Sequence, residues 1–426
     1  MRCGILTYHY AANEGAAWQA CALCAHLRAA QPQHRFEIID YRPAAQQAAL
    51  AAQYAPEQLR LYDEFLHGCL GGVRLVSDCP EDLFRRLPQS YDAVLVGSDI
   101  VWQVDVPRSL PARLRRSRER CGWPRPSVAS PYAFARDLKN WAAGVWRGAV
   151  RRPPDRLPFP NAYWLAPELP LRKAAVAASI GYADVARAPR AMRREMLRRL
   201  QAFDFISVRD QATLDFIRSL EPALGARVRR MPDPAWLWDQ PLPDTDSILR
   251  AAGVPADSPR AGVLWPRGGG YRERLERWIL PVLRSRGFHV VSVIDRNPAA
   301  DTDLAAQSLP PLAWWSVIRS LDFLVSVRTH PTIAALKYGT PVFNVDITAM
   351  HNRCGQSKSR DMLEPFGLAE VCLHRRADFN ERTVRAGLVQ ALDRSWDWPA
   401  IAVQAERNRR QGAAVLGDLM GVLAAS

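Results

Sequence analysis

Short runs of aliphatic and β-branched residues recur along this chain with helix-length stretches between them, and that alternation restricts the fold more than any other feature. Residues 4–8, 36–41, 93–97, 174–180 and 205–208 read as strands, and the pattern resumes at 261–266, 289–294, 323–327 and 342–345. Strands separated by helices of about ten or more residues imply parallel sheets covered on both faces. A chain of 426 residues exceeds what one core usually serves, so two domains are expected. The break is placed at 231–250, where Pro232, Pro234, Pro241 and Pro243 interrupt any regular element. The predicted fold is α/β, with two Rossmann-like domains, 1–235 and 236–395, facing a cleft. Residues 396–426 are predicted to form a C-terminal helix that returns to the first domain.

Charge is distributed unevenly. The chain carries 57 Lys and Arg against 43 Asp and Glu, a net charge of +14, yet residues 106–156 alone hold thirteen basic and three acidic side chains. One local basic device is therefore expected, rather than a nucleic-acid surface spread over the fold. Residues 106–160 are read as an insertion in the first domain. Within it Arg113, Arg115, Arg116, Arg118 and Arg120 cluster, and Phe134, Leu138, Trp141 and Val145 repeat with helical spacing opposite Arg136, Lys139 and Arg147. This pattern suits a helix on an anionic membrane surface, and equally a helix packed on the first domain.

No run approaches the roughly 18 apolar residues of a membrane span, and the opening 1–7 turns polar too soon for a signal peptide. Eight cysteines form no tight framework, and a reducing, cytoplasmic setting follows, with peripheral attachment at the inner membrane face as the membrane alternative. Cys21 and Cys24 lie in an Ala- and Leu-rich helical stretch without a second pair, so core packing is expected. No metal-ligand spacing and no nucleotide fingerprint is present.

The candidate site residues fall at strand ends, where open parallel sheets bind ligands. Arg328 and His330 follow the strand 323–327, just before a helix with Pro331 in its first turn. Helix N-termini offer unpaired N–H groups to anions. Lys358 stands at the expected start of another helix, and Arg267, Gly268 and Gly269 end the strand 261–266, where backbone N–H groups and a guanidinium can approach an anion. Tyr8, Asn13 and Gln19 surround the first strand's end, and Ser98, Asp99 and Trp102 that of 93–97. Asp99 is read either as a sugar-orienting carboxylate or as a helix cap.

Taken in order, Gly4 to His9 with Asn13, Gly15 and Gln19, Val96-Gly97-Ser98-Asp99 with Trp102, Ala177-Ala178-Ser179-Ile180-Gly181, Ile206-Ser207-Val208-Arg209-Asp210, Asp233-Pro234 and Arg328-x-His330 with Gly339-Thr340-Pro341 form a series. That series resembles the polysaccharide pyruvyl transferase family along most of the chain. The resemblance implies a fold like that of GT-B glycosyltransferases and transfer of pyruvate from phosphoenolpyruvate onto two hydroxyls of a sugar, in a polysaccharide or lipid-linked precursor, as a ketal. It implies His330 as the catalytic residue and Arg328 and Lys358 as donor-binding cations. From their own positions at strand ends, Arg267, Gly268 and Gly269 are added to the donor site, and Tyr8, Asn13, Gln19, Ser98, Asp99, Trp102 and Arg209 are taken as acceptor or cleft residues. No cofactor is expected beyond the donor substrate. Ile100 and Val176 depart from the family's usual glutamine and aromatic residues. Competing expectations are a glycosyltransferase using a nucleotide sugar, and a non-catalytic protein that binds glycan or lipid.

Overall fold

The computed structural model describes residues 1–9, 13–52, 54–70, 75–104, 106, 139, 142, 159–181, 185–266, 270–350 and 357–425. The basic segment 106–156, proposed above as a membrane contact, lies almost wholly outside them, as do Arg267, Gly268 and Gly269.

Thirteen strands are described: β1 (Arg2–Leu6), β2 (Arg35–Ile38), β3 (Asp40–Tyr41), β4 (Val76–Ser77), β5 (Ala93–Val96), β6 (Arg172–Ala178), β7 (Phe205–Val208), β8 (Arg229–Arg230), β9 (Arg260–Val263), β10 (His289–Ser292), β11 (Phe323–Ser326), β12 (Val342–Val345) and β13 (Cys372–Leu373). The first large sheet runs β2-β1-β5-β6-β7-β8 and the second β10-β9-β11-β12-β13. Every pairing in both is parallel. The strands β5, β7, β11 and β12 are buried at all four positions, because helices cover both faces. Strand order reverses beside β1 in one sheet and beside β9 in the other. Those reversals open crevices at the carboxyl ends of β1 and β5, and of β9 and β11.

The two sheets are joined by a helix that water scarcely touches. Glu14–Ala30, the first helix, is buried at every position from Glu14 to Cys24. Its Ala-rich sequence makes a thin rod that neighbours can approach closely, and Cys21 and Cys24 are core residues within it. Trp18 donates its indole N–H to the Pro311 carbonyl at 3.0 Å and lies 4.4 Å, ring to ring, from Trp315, which fixes the helix against the second domain. The segment Pro234–Leu237 packs on the same helix, so the proline-rich connection carries buried Trp236 and Leu237.

The last helix, Trp398–Ala424, follows the second domain and reaches β8 of the first sheet, where Gln411 Nε2 donates to the Arg230 carbonyl at 3.2 Å. Val176, one of the two departures noted in the sequence, is fully buried on β6 and belongs to packing. No helix among the described residues is long and apolar enough to cross a membrane.

Candidate active site

The carboxyl ends of β5, β7 and β11 converge on one chain of polar contacts. After β5, Ser98 is fully buried and donates its hydroxyl to Gln19 Oε1 at 2.8 Å, while Thr7 Oγ1, after β1, donates to the Ser98 carbonyl at 2.9 Å. After β7, Arg209 spans the group: Nη2 donates to Asp99 Oδ1 at 3.1 Å, and Nη1 to Asp233 Oδ2 at 2.7 Å and to Gln19 Oε1 at 3.4 Å. Asp233 Oδ2 also lies 3.3 Å from His330 Nε2, an ion-pair contact rather than an aligned hydrogen bond. The polar network of the first domain thus meets the histidine of the second at the Asp233 carboxylate.

Asp233 is suited to that position. Burial alone would raise its carboxyl, but the charges of His330 and Arg209 more than offset this and hold it well below the usual carboxylate range. It also accepts the Ala235 N–H at 3.0 Å, which fixes the carboxylate at the start of the 3-10 turn. On the other side of the imidazole the first helix approaches so closely that a Cβ on Gly15 would stand 2.1 Å from His330 Nδ1. His330 is therefore confined between a carboxylate and a helix backbone, with 14% of its side chain exposed.

Arg328 is the N-cap residue of the helix Thr329–Tyr338, and Ser326 and Thr332 both donate hydroxyls to its carbonyl, at 2.9 and 2.8 Å. Its guanidinium crosses between the domains, giving Nη1 to Glu14 Oε1 and Oε2 at 3.0 and 3.2 Å and Nη2 to Asp295. Burial opposes its charge, and the two carboxylates more than compensate. Arg328 is thus a cation already matched by two anions and a tie between the sheets.

Lys358 begins the helix Lys358–Leu363, with Ser357 as its cap. Burial pushes its ammonium down to about 8, reinforced by the nearby positive Arg209. It borders a cavity of about 330 Å³ together with Arg209, Asp233 and Thr329. A buried ammonium beside a second cation and the amino end of a helix is a place where an anion is favoured.

The structure brings Gln19, Ser98, Asp99, Arg209 and His330 into one network, with Arg328 and Lys358 beside it. Three sequence candidates make their recorded contacts outside that network. Trp102 is fully buried in the first core, stacked on Trp164 at 5.4 Å and bonded to the Tyr163 carbonyl. Tyr8 rests against Tyr163 at 4.8 Å, and Asn13 caps the first helix by accepting the Ala16 N–H. Asp99 combines the two roles offered by its sequence context only in part: it accepts the Ile100 N–H at 2.7 Å and spends its other contact on Arg209. Sequence reasoning gave no role to Glu14, Gly15, Asp233 or Asp295, whose functions arise from contacts between distant parts of the chain. Among the described residues no group of His, Cys, Asp and Glu could hold a metal ion.

Comparison with known proteins decides the family. A family model for polysaccharide pyruvyl transferases matches residues 13–348, which include every member of the network from Gln19 to His330. This chain belongs to the polysaccharide pyruvyl transferase family. No curated protein matches it by sequence. Among solved structures, this family member is similar to the UDP-GlcNAc 2-epimerase from Neisseria meningitidis bound to UDP-GlcNAc, at 9% identity over 100% of both chains with a TM-score of 0.52. It is likewise similar to the UDP-GlcNAc 2-epimerase from Methanocaldococcus jannaschii, at 9% identity over 99% of both chains with a TM-score of 0.50. Those likenesses establish a GT-B-type fold for the transferase: two Rossmann-like domains with parallel sheets. Lys358 lies beyond the matched segment, so its place in the site rests on the structure alone.

Proposed function

We propose that this protein transfers pyruvate from phosphoenolpyruvate onto two hydroxyls of one sugar, in a polysaccharide or lipid-linked glycan precursor, forming a cyclic ketal and releasing phosphate. The observation that carries the reading is His330, clasped between Asp233 and Gly15 at the edge of the cleft, in a chain of this family. The reaction needs a proton delivered to the vinyl carbon of the donor, which makes its C2 electrophilic. One sugar hydroxyl then adds to C2 and gives up its proton, the C–O bond to phosphate breaks, and a second hydroxyl closes the ring. Two protons leave the diol, one ending on the new methyl group and one on phosphate. Imidazole is the side chain that gives and takes protons near neutrality, and His330 is assigned both transfers.

The donor bears a carboxylate and a phosphate, and each charge-assisted hydrogen bond to such a group contributes about 1.5–3 kcal/mol. Lys358 is assigned to one of them. Arg328 is assigned to the other, and takes up that role by exchanging one of its carboxylate partners for the donor. No cofactor enters the scheme. The direct test is incubation with phosphoenolpyruvate and a panel of glycosides, following phosphate release and the appearance of a ketal methyl signal by NMR. Phosphate release without a ketal, or activity only with a nucleotide sugar, would reassign the protein to hydrolysis or glycosyl transfer.

The thirteen basic residues of 106–156 are assigned to peripheral contact with the anionic inner face of the cytoplasmic membrane, where a lipid-linked acceptor would reside. A chain lacking 110–155 should lose sedimentation with anionic vesicles and keep donor binding; unchanged sedimentation would refute this part.

A further inference from the structure

The cavity beside Lys358 has lining that an anionic donor does not call for. Besides the cations it is bordered by the apolar Met231, Met362 and Pro365, and by two neutral amides, Asn408 and Gln411, from the last helix. An amide NH₂ can serve an anion, but an amide oxygen cannot, whereas hydroxyls match both because they also donate and accept. Their existing bonds leave complementary halves. Gln404 Nε2 donates to Asn408 Oδ1 at 3.0 Å, so Asn408 has its NH₂ to offer. Gln411 donates to the Arg230 carbonyl, so it has its oxygen to offer.

Asp361, one turn after Lys358, borders the same cavity. Burial and the charge of Asp210 raise its carboxyl to about 6, so near neutrality it is close to the point where it can either donate or accept. The volume, about 330 Å³, falls within the range of ligand-sized sites, about 300–1,000 Å³. An acceptor hydroxyl must come within about 3–3.5 Å of the donor's reacting carbon, so donor and acceptor have to share one space.

We propose that Asn408, Gln411 and Asp361 form a hydroxyl-reading seat for a neutral pyranose ring, supplied by the last helix and the Lys358 helix. These residues lie outside the 13–348 family match, so acceptor choice is made by a part of the chain that the family pattern does not define. The role of the sugar as pyruvate acceptor rests on the function proposed above; the binding of the sugar does not.

The test is saturation-transfer NMR on the full chain with methyl pyranosides of galacto, gluco, manno and N-acetylated configuration, alongside thermal stabilisation by phosphoenolpyruvate. Wild type is compared with Asn408→Ala, with Gln411→Ala and with Val403→Ala, an exposed position on the same helix. The expected result is at least fivefold weaker binding of the preferred glycoside in the two amide variants, unchanged binding in Val403→Ala, and donor stabilisation intact throughout. Gln411 is exposed, so its variant carries the test if Asn408→Ala folds poorly. Wild type that binds no glycoside, or amide variants that bind like wild type, would overturn the seat. Donor stabilisation with no effect of the amides would remove the seat and leave pyruvyl transfer standing; amide-dependent sugar binding with no donor response would do the reverse.

Discussion

Gly15 and His330 are in contact so close that no side chain fits between them: a Cβ at 15 would lie 2.1 Å from Nδ1 and 2.5 Å from Cγ of the imidazole. One belongs to the first helix of the first domain and the other to the first turn of a helix in the second. The reach of the imidazole is therefore set by domain packing, and a glycine is required by the approach rather than by backbone conformation.

Gly15→Ala should consequently displace His330. Gly15 is the second residue of its helix, where the backbone accepts alanine, so the cost of the substitution falls on the contact with His330 rather than on the helix. A misplacement of about 1 Å at a reacting group costs on the order of 100-fold in rate. The variant should keep a cooperative thermal transition and lose about that much kcat; kcat within a few-fold of wild type would show that the contact does not position the imidazole.

Asp233→Asn keeps shape and removes charge. His330 loses this carboxylate and Arg209 keeps its bonds to Asp99 and Gln19, while the wall of the anion pocket becomes less negative. Turnover should fall by roughly 10- to 100-fold, and phosphoenolpyruvate should bind at least as tightly as to wild type. A weakened Kd with unchanged kcat would instead make Asp233 a binding residue.

Much of this architecture is legible in the sequence and part is not, for definite reasons. The parallel sheets could be read because buried strands such as Ala93–Val96 are continuous apolar runs that end where the chain turns polar. The strands β4, β8 and β13 have two residues each, too few for any periodicity, and Arg229–Arg230 is exposed besides. Arg328 and His330 were recognisable from their strand-end context, but their partners were not: Glu14 stands 314 residues from Arg328 in sequence, and only the packing of the first helix brings them together. Trp102 misled because it follows Asp99 closely, yet its side chain turns into the core to stack on Trp164. Asp233 sits in a proline-rich connection whose Trp236-Leu237-Trp238 signals a packed segment, as found, but nothing in its neighbours signals that the carboxylate meets His330.

Arg328 ties the sheets together and is also proposed to bind the donor, and one substitution cannot separate the two. Arg328→Met removes the guanidinium that pairs with Glu14, 1% exposed, and Asp295, 10% exposed. Breaking a buried pair in this way costs about 3–5 kcal/mol. The double variant Arg328→Met/Glu14→Gln should recover a large part of that loss in urea unfolding while still binding phosphoenolpyruvate more weakly than wild type. Recovery of stability with donor binding unchanged would leave Arg328 as a structural tie alone.

The lowered Lys358 ammonium sets a pH dependence. Its value in the fold, about 8, lies below the ordinary 10.5, so the cost of burying the charge is present below pH 8 and is relieved as the pH rises from 8 toward 10.5. An anion that relies on that charge is held below pH 8 and released above it. Donor affinity of wild type should therefore decline through pH 8, whereas Lys358→Arg, which stays protonated, should show a much flatter profile. Parallel profiles would mean that another group controls the site.

The central claim, a cleft built for phosphoenolpyruvate, is tested most directly by the thermal unfolding of wild type and Lys358→Ala with phosphoenolpyruvate, and with a nucleoside diphosphate as comparator, at pH 7. Ligand at 100 times its Kd stabilises the native state by about 2.7 kcal/mol. The prediction is a clear rise in unfolding temperature for wild type with phosphoenolpyruvate alone, reduced or absent in Lys358→Ala. Stabilisation by the nucleotide and none by phosphoenolpyruvate would contradict the account.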